Sequence, residues 1–186
     1  MSFPDIFKYN GLISVPLFAI ISFLLIKKKT NFSFSQYTIS KSILFLHNRI
    51  QRIIFRLNFL LKALLDLGFT WYIIHFFKLP FNSPVIWSLL LSSVLFGSLS
   101  YFIEGTHSTV HKIIVYSSGV LWVLSQIYLS SLTRDPLFIG LTNAMTAIFT
   151  VLTFWFIFAK KTNVFIQALC MVILYSWLAV FVFNYL

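Results

Sequence analysis

The sequence predicts an all-α integral membrane protein: a bundle of six transmembrane helices with an amphipathic interfacial helix between the first two. Three observations predict it. Hydrophobic residues make up 59% of the 186 positions and charged residues only 10%, whereas soluble domains carry about 25% charged residues. The few charges fall mostly into short clusters between long apolar runs. Six spans of roughly 20 residues use about 120 positions and leave only short connections. That leaves no room for a separate soluble domain, so residues 1–186 read as a single transmembrane domain.

The first span, residues 11–26, is short but reaches adequate length with Tyr9 and Lys27, Lys28 and Lys29 at the interfaces, and Pro16 is placed to kink it. No small-residue cleavage site follows this run, so it reads as a retained span rather than a signal peptide. Residues Thr30 to Arg52 break the apolar pattern with Ser, Asn, Lys and Arg, yet Ile39, Ile43, Leu46, Ile50 and Ile53 recur at steps of three and four. Lys41, His47, Arg49 and Arg52 lie largely off that stripe, which predicts an amphipathic helix along the headgroup boundary or leading into the second span. The remaining spans are expected at 57–77, 84–102, 110–132, 137–159 and 163–186. Short connections after the second span favour antiparallel neighbours in a compact bundle.

Fourteen Lys and Arg against four acids give a net charge of +10. In an apolar chain these bases orient spans and meet anionic lipid headgroups rather than nucleic acid. Segment 27–56 holds seven of them, and Lys112, Lys160 and Lys161 fall on the same predicted side. Lys8, Lys78 and Arg134 fall on the other. Ten against three predicts a cytoplasmic first loop, with the N- and C-termini outside, most naturally at the cell membrane. The expected partners are the lipid bilayer and its anionic headgroups. Cys170 is the single cysteine, so no intramolecular disulfide and no Cys-based metal cluster is expected.

Two sets of polar residues are candidates for function. Asn58, Lys62, Asp66 and Thr70 follow at steps of four and share one face of the second span. Lys62 and Asp66 read either as a structural ion pair or as a proton or ion relay. Asn143 heads a polar stripe with Thr146, Thr150 and Thr153, and Ser93, Gly97 and Ser100 form another. Such stripes are packing seams, or line a cavity if Asp66 and Asn143 face one another, in which case Asn58, Lys62, Asp66, Asn143 and His111 form one candidate intramembrane polar site. His75, nine residues past Asp66, is turned to the opposite face. The second set, Glu104, His107 and His111, has the spacing for a divalent metal if the fourth helix begins early. Gly105 interrupts that helix, however, and Thr106 or Ser108 fits an N-cap. No HExxH, GxSxG, Walker or Rossmann pattern occurs, so no cofactor is expected. The leading reading is a non-enzymatic multi-pass membrane protein that contacts lipid or partner proteins. The alternatives are a small proton- or solute-coupled transporter using Asp66, and a membrane metal-dependent hydrolase using Glu104, His107 and His111.

Three stretches carry a family resemblance. The first is Tyr37-Thr-Ile-Ser40 followed by Ile54-Phe55-Arg-Leu-Asn58-Phe-Leu-Leu. The second is Leu95-Phe-Gly97-Ser-Leu-Ser-Tyr-Phe102-Ile-Glu104-Gly with His111 beyond it, and the third runs from Asn163 to Trp177. In this order they resemble the six-pass membrane family known as domain of unknown function 998, which is similar to Frag/DRAM-type membrane proteins. His111 matches the histidine that opens the family's fourth span, and His107 does not. Ile103 stands in place of a proline, Lys41 in place of an acid, and Gln167 in place of an arginine. The resemblance implies a six-helix bundle and no established reaction.

Overall fold

The computed structural model describes residues 3–27, 31–104, 107–159 and 163–186. Six α-helices lie among them: α1 Asn10–Ile26, α2 Arg49–Phe76, α3 Pro84–Ser98, α4 Ser108–Thr133, α5 Pro136–Ala159 and α6 Val164–Tyr185. Two short 3-10 helices, Phe3–Phe7 and Ser40–Phe45, complete the regular structure. No strand occurs among the described residues.

Several helix ends follow from local chemistry. Asn48 stands before α2 in an extended conformation, and its side chain accepts the Ile50 N–H at 2.8 Å, which satisfies a backbone donor the helix itself leaves unpaired. Asn163 does the same for α6 through the Ile166 N–H at 3.0 Å. Pro84 and Pro136 occupy the first positions of α3 and α5, where a missing N–H costs nothing. Arg134 closes α4 with φ 57°, in the left-handed region.

Each helix packs on its neighbour in the chain, and α6 packs back on α1, so the six close into a ring. Among the described residues, four helical segments are long and apolar enough to cross a membrane: Asp5–Ile26, Ser108–Thr133, Pro136–Phe154 and Val164–Tyr185. The α2 helix is long, but Asn58, Lys62 and Asp66 reduce its hydropathy, and α3 has only 15 residues.

The stretch expected to form one amphipathic helix differs from that expectation. Residues 31–48 form turns and the 3-10 helix, and α2 begins at Arg49, eight residues ahead of the predicted second span. Side chains compete for the backbone here: Ser42 Oγ donates to the Ile39 carbonyl, and Thr38 Oγ1 accepts the Lys41 N–H. The apolar stripe is consequently divided. Ile39, Ile43 and Leu46 are buried against the bundle, while Ile50 and Ile53 are exposed on α2.

The core has two apolar parts. Leu12, Phe69, Ile73, Leu89, Leu129, Phe138, Trp177 and Phe181 gather at one end. Phe18, Phe55, Phe59, Leu99, Ile103 and Ile114 gather at the other, covered by Ile39, Ile43 and Leu46 of the first loop. Between them on α1 and α2 lies a polar waist containing Ser14, Lys62 and Asp66, and on α3 and α4 the pair Ser92 and Ser118.

Candidate functional site

Steps of four place Asn58, Lys62, Asp66 and Thr70 along one face of α2, and α1 supplies their partners. Asp66 is only 4% exposed. One carboxylate oxygen accepts the Ser14 hydroxyl at 2.6 Å, and the other is paired with the Lys62 ammonium. Thr70 Oγ1 donates to the Asp66 carbonyl at 2.8 Å. The Lys62 ammonium also lies 4.5 Å from the centre of the Phe96 ring and 6.0 Å from that of Trp122, so α3 and α4 contribute cation–π attraction. One helical turn earlier, Asn58 Nδ2 donates to the Phe18 carbonyl at 2.9 Å and to Ser22 Oγ at 3.1 Å. Its Oδ1 is buried without a hydrogen-bond partner among the described residues. Four helices therefore meet at one neutralised charge pair.

Asn143 does not join this cluster. It lies on an exposed face of α5, with Thr150 also exposed and Thr146 and Thr153 half-buried. The inward polar residue is Thr142, whose hydroxyl accepts Trp177 Nε1–H at 2.7 Å and donates to the Phe138 carbonyl at 2.8 Å. Stacking of Phe138 on Trp177, with centroids 5.4 Å apart, sets this rotation. Phe138 and Thr142 are one turn apart, which is the signal that would have selected Thr142.

The three metal candidates go to separate partners. His111 is buried and its Nδ1 lies 2.7 Å from the Phe102 carbonyl. Glu104 receives the Thr38 hydroxyl. His107 is exposed before α4, its ring facing Tyr101 and Phe102. Among the described residues, no group of three or more His, Cys, Asp or Glu side chains is placed to hold a metal ion. Gly105 and Thr106, the expected helix break and cap, lie outside the described residues. Ser108 is the first residue of α4, and His107 occupies the cap position without a capping side-chain bond. His75 is exposed near the end of α2, bonded through Nδ1 to the Trp71 carbonyl at 2.8 Å.

Sequence reasoning missed how the first loop is fastened. The Ile39 N–H donates to Gln167 Oε1 at 2.7 Å, and the Val164 N–H donates to the Tyr37 carbonyl at 2.9 Å. Asn163 Nδ2 reaches the Ser35 carbonyl at 2.9 Å. With Thr38 bonded to Glu104, the segment Tyr37–Ser40 ties the start of α6 to the connection before α4.

At the opposite end, Asp135 accepts the Tyr185 hydroxyl and the N–H groups of Leu137 and Phe138. The Tyr185 bond, helped by the two backbone donors and opposed by desolvation, holds this carboxyl below its ordinary range.

The fold and its apolar helices have the character of a multi-pass membrane protein. Comparison with protein-family models, curated proteins and solved structures finds no match to the chain.

Proposed function

We propose that this chain is a non-enzymatic six-pass membrane protein of the domain of unknown function 998 type, acting through contact with anionic lipid. In this reading α2 and α3 cross the bilayer beside the four longer apolar segments. The first loop faces the cytoplasm of a cell membrane and both termini lie outside. No cofactor enters the reading.

The observation that carries it is the use made of the interior charges. Lys62 and Asp66 neutralise each other within a shell formed by Ser14, Phe96 and Trp122. That arrangement lets a charged helix lie in hydrocarbon and serves cohesion between helices. The exposed charge is of another kind: Arg49, Arg52 and Arg56 stand at the start of α2, where each base near an anionic surface contributes about 1 kcal/mol of attraction.

Reconstitution of the full chain in mixed phosphatidylcholine and phosphatidylglycerol bilayers tests this. Lipid retained after extraction is expected to be enriched in phosphatidylglycerol, less so when the three arginines are replaced by glutamine. Equal retention of the two lipids would refute the proposal.

A second reading, a proton- or solute-coupled carrier using Asp66, is favoured by the buried Asn58 Oδ1, which has no hydrogen-bond partner among the described residues. It requires that Asp66→Asn abolish a flux measurable in proteoliposomes.

A further inference from the structure

A cavity of about 340 Å³ lies along the seam between α1 and α6, lined by neither Lys62 nor Asp66. This is within the size range of small-ligand sites, roughly 300–1,000 Å³. At one end the seam is tight, because Gly11 admits Leu178 at contact distance. From Val15 and Pro16 onward the two helices leave a crevice. Its shape follows from the sequence. Small residues, Ala19 and Ser22 on α1 and Ala168 on α6, line it. Such residues normally let membrane helices close on each other; here the helices stay apart and the small side chains leave open volume. Ser22 adds little polarity, since its hydroxyl accepts the Asn58 amide.

Length and charge identify the occupant. The walls run from residue 15 to 26 on α1 and from 164 to 175 on α6, so at 1.5 Å per residue each is roughly 16 Å long. That is about one leaflet, half of the ~30 Å hydrocarbon core. One end is apolar throughout. At the other, Phe34 and Ile39 of the first loop roof the crevice, and Lys27, exposed, follows directly on the lining residue Ile26. In the sequence, Lys28 and Lys29 come next, and Lys160 and Lys161 precede α6. A groove one leaflet deep, hydrocarbon along its length and basic beyond one end, is complementary to an anionic phospholipid.

We propose that the α1–α6 crevice is a binding site for one acyl chain of an anionic phospholipid from the basic-side leaflet. The chain enters sideways from the bilayer beneath the Phe34–Ile39 roof, and the headgroup passes outside the roof to Lys27. This rests on the membrane reading above but adds a discrete, saturable site to a diffuse attraction.

The test uses the full chain reconstituted with phosphatidylglycerol that carries a photoreactive group in one acyl chain. Crosslinks in wild-type protein are expected on residues 15–26 and 164–175, and excess unlabelled phosphatidylglycerol should compete them away. Ala168→Phe and, independently, Ala19→Phe fill the crevice. Each methylene displaced weakens binding about fourfold, so labelling is expected to fall about fifteenfold in either variant if two methylenes are excluded. Crosslinks spread evenly over the lipid-facing surfaces, unaffected by the two variants, would overturn the site. So would a covalent dimer formed between cysteines placed at positions 19 and 168 of separate copies, which would make a second chain the occupant. Labelling that phosphatidylcholine competes as well as phosphatidylglycerol would overturn the anionic headgroup. The broader function fails separately, on bulk phosphatidylglycerol enrichment and its dependence on Arg49, Arg52 and Arg56, none of which lines the crevice.

Discussion

Asp66 keeps a carboxylate at 4% exposure because Lys62 and Ser14 both reach it, and removing either charge alone strands the other. Breaking a buried pair costs about 3–5 kcal/mol, while replacing both members with apolar residues is often close to neutral. Asp66→Leu and Lys62→Met are each expected to lower thermal stability in detergent strongly, and the double variant to recover most of the loss. Single variants as stable as the wild type would show that the pair holds nothing together. Asp135 leads to a different expectation. Its carboxyl is held below the ordinary range chiefly by the Tyr185 hydroxyl, so its stabilising contribution is fully present above the ordinary carboxylate pKa. It is lost as pH falls through the lowered value. Tyr185→Phe should therefore reduce stability at neutral pH and flatten the acid limb, the two proteins converging below that value. Parallel melting-temperature profiles from neutral to acid pH would contradict this.

Close approach between helices governs the next scale. A Cβ on Gly97 would lie 3.0 Å from the Cβ of Ala63. Neither atom can rotate away, so α2 and α3 must separate. Gly97→Ala is expected to cost about 1–3 kcal/mol, the usual range for overpacking. Gly119 on α4 has open space where its Cβ would stand, and Gly119→Ala should be neutral or stabilising by up to about 1 kcal/mol. Denaturation of both variants in one detergent checks the contrast, and equal effects would refute it. The same scale explains what the sequence disclosed. Asn58, Lys62 and Asp66 were legible because steps of four on one helix are a local property. Ser14 and Ser22 were not, since the register of α1 against α2 is set by packing and both look like ordinary small residues of a span. Asn143 attracted attention by its polarity, but the rotation of α5 is fixed by Phe138 on Trp177, which turns Thr142 inward. Ser92 and Ser118 exchange hydroxyl-to-carbonyl bonds of 2.9 and 3.0 Å between α3 and α4, a reciprocity that neither segment reveals alone. Of the apolar stripe, Ile39, Ile43 and Leu46 are covered by the bundle while Ile50 and Ile53 are exposed; its period could not show that the segment before Arg49 takes turns and a 3-10 helix.

For the whole molecule, the distinctive feature is how the ring of helices closes. Along the seam between α6 and α1 lies the crevice, and the first loop crosses above it to bond to α6. The Ile39 N–H to Gln167 Oε1 bond is, with the Asn163 amide to the Ser35 carbonyl, one of two side-chain bonds in that crossing. Ile39 is itself buried, so Gln167→Leu would leave a buried donor without an acceptor, at a cost of about 1–3 kcal/mol. Gln167→Glu keeps an oxygen at the same reach and should preserve the bond. The expected outcome for Gln167→Leu is lower thermal stability together with faster amide exchange at Ile39 and Val164, because the Val164 N–H depends on the Phe34 and Tyr37 carbonyls of the same loop. Exchange at Leu129 and Phe181, in the opposite apolar cluster, should change far less, which separates an opened roof from general unfolding. If Gln167→Leu left exchange at Ile39 and Val164 at the wild-type rate, the loop would be held by its apolar contacts and by the Val164 and Asn163 bonds, without help from Gln167. The closure of the ring at this end would then rest on Ile39, Ile43 and Leu46 and on the bonds at the first turn of α6 rather than on the Gln167 side chain.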